Sequence, residues 1–253
     1  MSFSRALALS FGFVSVGSMA APAPVAEYDF NGTLSSSVAG APILTVTDPL
    51  NQSSFVTDAV NGHSRSVWHV GGTADPVLDQ GGLTLSTNGL ITNGTIYSLE
   101  IVLKFTDRDN AWRRIADVQS RTSDNGFYVD PSNNLNVYPV AGGSAFSNNT
   151  YHDVFLVNDA GTVTFYLDGS AQQSVKTDVM NFDASKTINF FLDNTQGGGQ
   201  GEWSAGDIAE IRLYDAALSA VPPPPVPSIP EPQTYVMMLL GLGVVGYATR
   251  RRT

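Results

Sequence analysis

The side chains of this 253-residue chain that could do chemistry are mostly oxygen donors and aromatic rings, with 18 Asp, 5 Glu, 3 His and 3 Trp, and no Cys. Without a thiol there is no cysteine nucleophile and no cysteine metal site. No G-x-S-x-G elbow, H-E-x-x-H pair or Gly-Lys-Ser/Thr phosphate loop occurs, so the commonest hydrolase and nucleotide frames are missing. His63, His69 and His152 are scattered and read as surface or turn residues, although His63 and His69 lie close enough to Trp68 in sequence to share a pocket. Calcium is the better candidate cofactor. It takes oxygen ligands from loop Asp and Asn, and Asp124-Asn125 and Asp193-Asn194 offer two such pairs. The competing reading is that Asp-Asn pairs simply form turns. The second pair opens the segment Thr195 to Trp203, which holds Gly197, Gly198, Gly199 and Gly201. No helix follows to cradle phosphate, but a rim loop ending in an exposed Trp203 could stack on a sugar ring. Trp68 and Trp112 are further stacking candidates, and core packing is the alternative for all three.

The elements that must position these groups are strands. Gly, Pro, Asn, Ser and Thr are abundant and Lys and Glu scarce, the usage of short strands separated by turns. Leu99, Ile101, Leu103 and Phe105 share one face of a strand, with Ser98, Glu100 and Lys104 on the other; Glu100 and Lys104 there either pair or point to solvent. Val163, Phe165 and Leu167 alternate with Thr162, Thr164 and Tyr166, and Ala209, Ile211 and Leu213 alternate with Glu210, Arg212 and Tyr214. Each pattern predicts one packed and one wet face. Asp159-Ala160-Gly161 and Asp168-Gly169 predict hairpin turns around Thr162 to Leu167, and Asn61-Gly62 is a further turn mark. The expected fold is all-β, a two-sheet antiparallel jelly-roll sandwich.

The two ends read as addresses. Arg5, an apolar stretch from Ala6 to Val16 and Ser18-Met19-Ala20 predict a signal peptide over 1–20. The globular domain then spans 21–220, a proline-rich linker 221–229, and a tail 230–253 with a transmembrane helix at 235–249. That helix is short for a bilayer, and Arg250, Arg251 and Arg252 would hold its end on the cytoplasmic side of the inner membrane. The globular part carries 9 basic against 22 acidic side chains, a net of −13, which excludes nucleic acid as a partner.

Pro230-Glu231-Pro232, the short apolar segment and the arginine cluster together resemble the PEP-CTERM sorting tail of Gram-negative bacteria. The resemblance implies recognition by an exosortase, cleavage near Pro230-Glu231-Pro232, and release to the cell surface or extracellular matrix. In that family such tails often belong to exopolysaccharide-producing, biofilm-forming species. The interior resembles laminin-G-like domains of the concanavalin A-like superfamily. Glu27-Tyr28-Asp29-Phe30-Asn31-Gly32 is similar to their opening strand, Tyr97 to Phe105 to their long inner strand, Thr162 to Gly169 to their hairpin, and Gly206 to Tyr214 to their closing strand. Residues 35–79 match least. Laminin-G-like domains often hold one calcium ion at a sandwich rim, and Asp124 stands at a place resembling the ligand aspartate. Glycoside hydrolases of the superfamily use an E-x-D-x-x-E strand, and no two of Glu27, Glu100, Glu202, Glu210 and Glu231 have that spacing. The expectation is therefore an exported, non-catalytic module that binds polysaccharide or a matrix protein. A polysaccharide-active enzyme with an unfamiliar site and a purely structural matrix protein are the alternatives.

Overall fold

A computed structural model of the protein describes residues 22–219. The expected signal peptide, linker, sorting residues Pro230 to Pro232 and Arg250 to Arg252, and the apolar segment 235–249 lie outside the described residues. Among the described residues, no helix is long and apolar enough to cross a membrane.

Among the described residues, fifteen strands, numbered β1 to β15 in order, form two antiparallel sheets. The first sheet runs β13 (Ser170–Lys176), β12 (Thr162–Leu167), β11 (His152–Asp159), β6 (Ile96–Phe105), β15 (Gly206–Tyr214), β4 (His63–Val70) and β3 (Ser54–Val60), with β1 (Ala26–Tyr28) also paired to β15. The second runs β10 (Val140–Ala145), β9 (Asn134–Val137), β8 (Phe127–Val129), β7 (Arg113–Asp117), β14 (Thr187–Phe190), β5 (Gly82–Ser86) and β2 (Thr45–Thr47). The all-β, two-sheet expectation is met. The segment 35–79, least legible in the sequence, supplies β2 at the edge of one sheet and the β3–β4 hairpin at the edge of the other.

Three hairpins close through two-residue turns with positive φ at both positions: Asn61 at 50° and Gly62 at 80°, Ala160 at 50° and Gly161 at 85°, Asp168 at 51° and Gly169 at 79°. That is the twist-matching turn of tight hairpins, which Asn-Gly and Asp-Gly adopt easily. The core lies between the sheets. Leu99, Ile101, Leu103 and Phe105 face it as the alternation predicts, together with Val154, Leu156, Val163 and Phe165.

Strand β15 departs from the predicted alternation. Its register against β6 shifts between Ile208 and Glu210, so Ile208 joins the core while Ala209 packs outward with Val60, Val67, Val102 and Tyr151. A one-residue bulge explains this, because the extra residue flips the following side chains. The predicted wet face is also not wet at its centre. Glu100 is 2 % exposed and Arg212 3 %. The chain after β15 crosses this face: the Ser98 hydroxyl donates to the Ala216 carbonyl (2.8 Å), the Leu218 amide donates to Ser98 Oγ (3.0 Å), and Leu218 packs on Phe155, Val157 and Tyr214.

Candidate functional site

Each sheet turns one face away from the core, and the two outward faces differ in chemistry. On the first sheet, the face centred on β6 and β15 is an ion network. Arg212 pairs with Glu27 (3.0 Å), Glu100 (3.0 Å) and Glu210, and Arg65 approaches Glu210 at 3.7 Å. The predicted Glu100–Lys104 alternatives are both replaced: Glu100 belongs to Arg212, while Lys104 pairs with Asp58 and with Asp207 at 2.8 Å. Three inter-strand spacings separate β6 from β3, a flat span of ~14 Å that Lys104 and Asp58 could not bridge. The β3–β4 hairpin therefore curls over the sheet. Beneath it opens a cleft of about 300 Å³, lined by Asp58, Ala59, Asn61, Lys104, Asn149, Thr150 and Tyr151.

The carboxylates of this face are tied down. The hydrogen bond from Lys104 holds Asp58 below the usual carboxylate range. Burial pushes Asp207 up, but hydrogen bonds from His69 and Lys104 outweigh it and leave it low. The acidic oxygens of Glu27, Asp29 and Glu210 lie within 4.8 Å of one another, and Arg212 and Arg65 answer that charge, so it is no open cation site. Asp153 is the exception. It has a buried Oδ1 without a hydrogen-bond partner and is pushed up to about 7 by burial, then by the charges of Glu100 and Asp168.

The histidines are not a group. His63 is exposed in its hairpin. His69 points outward to Asp207 (2.7 Å) while its neighbour Trp68 faces the core, so the two share no pocket. His152 is buried rather than on the surface. Its Nδ1 lies 2.8 Å from Asp168 Oδ2 and its Nε2 2.9 Å from Ser147 Oγ, the order of a nucleophilic relay. The Nε2 lone pair also accepts the Ser147 amide (3.1 Å), and Asp168 Oδ1 accepts the Asp153 amide (2.9 Å). The three side chains fasten the loop 147–152 to the turn after β12.

The outward face of the second sheet carries aromatic rings and amides. Arg114, Tyr128 and Asn136 lie in one row across β7, β8 and β9. Trp112 and Tyr138 extend the same face by one pleat. The Trp112 ring meets Tyr128 and Tyr138 edge to face, at 5.5 Å each. Tyr138 is 39 % exposed and Trp112 half-buried. Asn136, 3 % exposed, has an Oδ1 without a hydrogen-bond partner. The expectation for Trp203 fails: it is 1 % exposed, packs in the core, and donates its Nε1 hydrogen to the Gly81 carbonyl (2.8 Å). The glycine-rich loop folds back on Asn194 and Asp124 through Gly197 and Gly199. Trp68 is likewise packed, edge-on to Phe55 at 4.9 Å. Of the three stacking candidates, Trp112 alone keeps an accessible ring.

Of the four residues expected to hold calcium, Asp193 and Asn194 contact Arg114 beside this face, Asp124 is joined to Asn194 only through Gly199, and Asn125 turns away to Gln119. The Asp193 carboxylate accepts the amides of Gly201 (2.7 Å), Glu202 (2.9 Å) and its neighbour Asn194 (2.8 Å), and stands 3.4 Å from Arg114 Nε. The Asn194 amide donates to the carbonyls of Gln196, Gly197 and Gly199. Asn125 donates to Gln119. Asp124 Oδ2 accepts the Gly199 amide (3.1 Å), and its buried Oδ1 lacks a partner. Apart from Asp124 Oδ1, the carboxylate oxygens of this set are spent on backbone amides and a guanidinium. Glu202, on the same rim, is pushed up to about 7 by burial and then by Asp193. The signal that could have disclosed this site was the adjacent Arg113-Arg114 pair on a strand in a domain poor in cations, with Tyr128, Asn136 and Tyr138 at alternating positions opposite.

The model of the concanavalin A-like lectin/glucanases superfamily matches residues 78–221, and the chain belongs to that superfamily. The PEP-CTERM protein-sorting motif matches residues 228–252, which marks the protein as exported and processed at the membrane by an exosortase. No curated protein matches the chain. Among solved structures it is similar to domain 4 of AbnA, a GH43 extracellular arabinanase from Geobacillus stearothermophilus in complex with arabinotriose. The identity is 16 %, the TM-score 0.57, and the coverage 78 % of this chain and 95 % of that one. It is also similar to the binding domain of botulinum neurotoxin DC in complex with SialylT, at 14 % identity and TM-score 0.52, covering 76 % of this chain and 47 % of that one. The serotype C1 binding domain gives 13 % identity and TM-score 0.53, covering 77 % and 49 %. The chain thus spans about half the length of the toxin binding domains, and at these identities the likeness is one of fold.

Proposed function

We propose that the processed protein stands at the cell surface or in the extracellular matrix and binds carbohydrate without catalysis, seating a sugar ring on Trp112 and Tyr138. The carrying observation is the aromatic ladder of Trp112, Tyr128 and Tyr138, whose outer rings stay accessible beside hydrogen-bonding amides. Rings of this kind combine an apolar face with polar neighbours, as sugar C–H faces and hydroxyls require. The complexes with arabinotriose and SialylT formed by proteins of the same fold agree with this ligand class. The non-catalytic part rests on geometry. The two carboxyls pushed up to about 7, Asp153 and Glu202, belong to opposite outward faces, so they cannot flank one glycosidic bond. The test is a glycan array probed with the processed protein. Saccharide binding that Trp112→Ala reduces at least tenfold, with folding retained, is expected. Binding only to proteins, or saccharide binding indifferent to Trp112, refutes the reading.

A further inference from the structure

The resemblance to laminin-G-like domains implies a calcium ion at the sandwich rim, and two of the residues that would hold it here, Asp193 and Asn194, contact Arg114 instead. Arg114 is fully buried. Its Nη2 donates to the Ser123 carbonyl (3.0 Å), to Asn194 Oδ1 (3.2 Å) and to the Tyr128 hydroxyl. Nη1 lies 3.4 Å from Asp117 Oδ2, and Nε 3.4 Å from Asp193 Oδ1. The guanidinium also stands 4.7 Å from the centre of the Tyr128 ring. Two carboxylates, a carboxamide oxygen, a main-chain carbonyl and a phenol oxygen therefore converge on one cation. They come from β7, the loop around Ser123, β8 and the loop after β14. That donor set has the composition of a calcium shell, with a guanidinium at its centre.

We infer that Arg114 is the resident cation of this rim: it joins the Ser123 loop, the Asp193–Glu202 loop and Tyr128 as a bound metal would, and the protein takes no calcium there. The physical reasons are charge and space. A guanidinium stays charged in any protein environment and presents five donors in a fixed plane. It satisfies several acceptors at once without an external ligand whose supply varies outside the cell. A calcium ion entering beside it would face a like charge within the same shell and would have to displace donors already engaged. The neighbourhood is arranged for this one occupant. Asp117, besides facing Arg114, accepts the amides of Gln119 and Arg121, which fixes the chain leading to Ser123. Tyr128 passes the order on by donating to the Asp124 carbonyl (2.9 Å). Arg114 is thus a positioning residue for the rim and for the Tyr128 end of the aromatic ladder.

The test is thermal unfolding of the purified protein with chelator and with millimolar calcium. A metal held at a hundred times its Kd would raise the Tm of a domain this size by about 5–10 °C. The inference predicts a shift below about 1 °C, and a saturable rise on adding calcium overturns it. In Arg114→Ala the acceptors lose their cation. That variant should melt lower than wild type, and methylguanidinium or calcium should raise its Tm where neither raises that of wild type. An Arg114→Ala protein that melts as wild type also overturns the inference. If the variant does not fold, the wild-type calcium titration still decides.

Discussion

Asp153 offers a quantitative test of how the outward face of the first sheet is balanced. It sits on β11 opposite Val102, between Glu100 and Asp168, and has no cation of its own. Its carboxyl is raised from 3.8 to about 7. At about 1.4 kcal/mol per pH unit, that penalises the ionised form by ~4 kcal/mol at most, and solvent near a half-buried side chain reduces the effect to ~1–3 kcal/mol. The sign follows from proton counts. Between about pH 4 and pH 7 the folded state keeps a proton that the unfolded chain releases, so this group's contribution falls as pH rises and is constant above pH 7. Asp153→Asn removes the titration at nearly equal volume. In urea unfolding it should be more stable than wild type by ~1–3 kcal/mol at pH 8, the gain shrinking below about 1 kcal/mol by pH 4. Glu202 contributes in the same direction, so the difference between variant and wild type is the quantity to follow. A difference independent of pH, or a variant less stable than wild type at pH 8, refutes the reasoning.

Arg212→Met leaves Glu27, Glu100 and Glu210 without their shared cation on a buried face, and should cost ~3–5 kcal/mol at pH 7. Part of that loss should return at pH 5 as the carboxyls protonate, a recovery that a simple packing defect would not show. Replacing Pro230-Glu231-Pro232 with alanines, within the matched sorting motif, should leave a full-length, membrane-associated precursor in cell fractions. Normal processing of that variant would detach the motif from its role.

The strands were legible because their alternation is strong. The inward rows of β6 and β12 hold Leu, Ile, Val and Phe at period two, and Asn61-Gly62 and Asp168-Gly169 mark the β3–β4 and β12–β13 turns. The bulge at Ala209 was not, since a small alanine fits either face until the pairing with β6 is known. Burial of the outward face was hidden for a related reason: the chain near Leu218 and the β3–β4 hairpin arrive from far along the sequence. The same cause misplaced Trp203, because glycines suggest an exposed loop while the core position of the indole depends on Gly81, 122 residues away. Arg114 was missed because its partners come from four separate segments. The oxygen donors among them were visible, and they read as a metal site because their cation lay elsewhere in the chain.

The proposed saccharide recognition through Trp112 has one direct measurement, because the other two tryptophans are shielded. Trp68 and Trp203 pack in the core, so acrylamide quenching of the intrinsic fluorescence reports mainly Trp112. Titrating the protein with a saccharide that it binds should protect that fluorescence from acrylamide in a saturable way, with the midpoint at the Kd found by calorimetry. Saccharide binding that leaves the quenching of Trp112 unchanged would contradict the account.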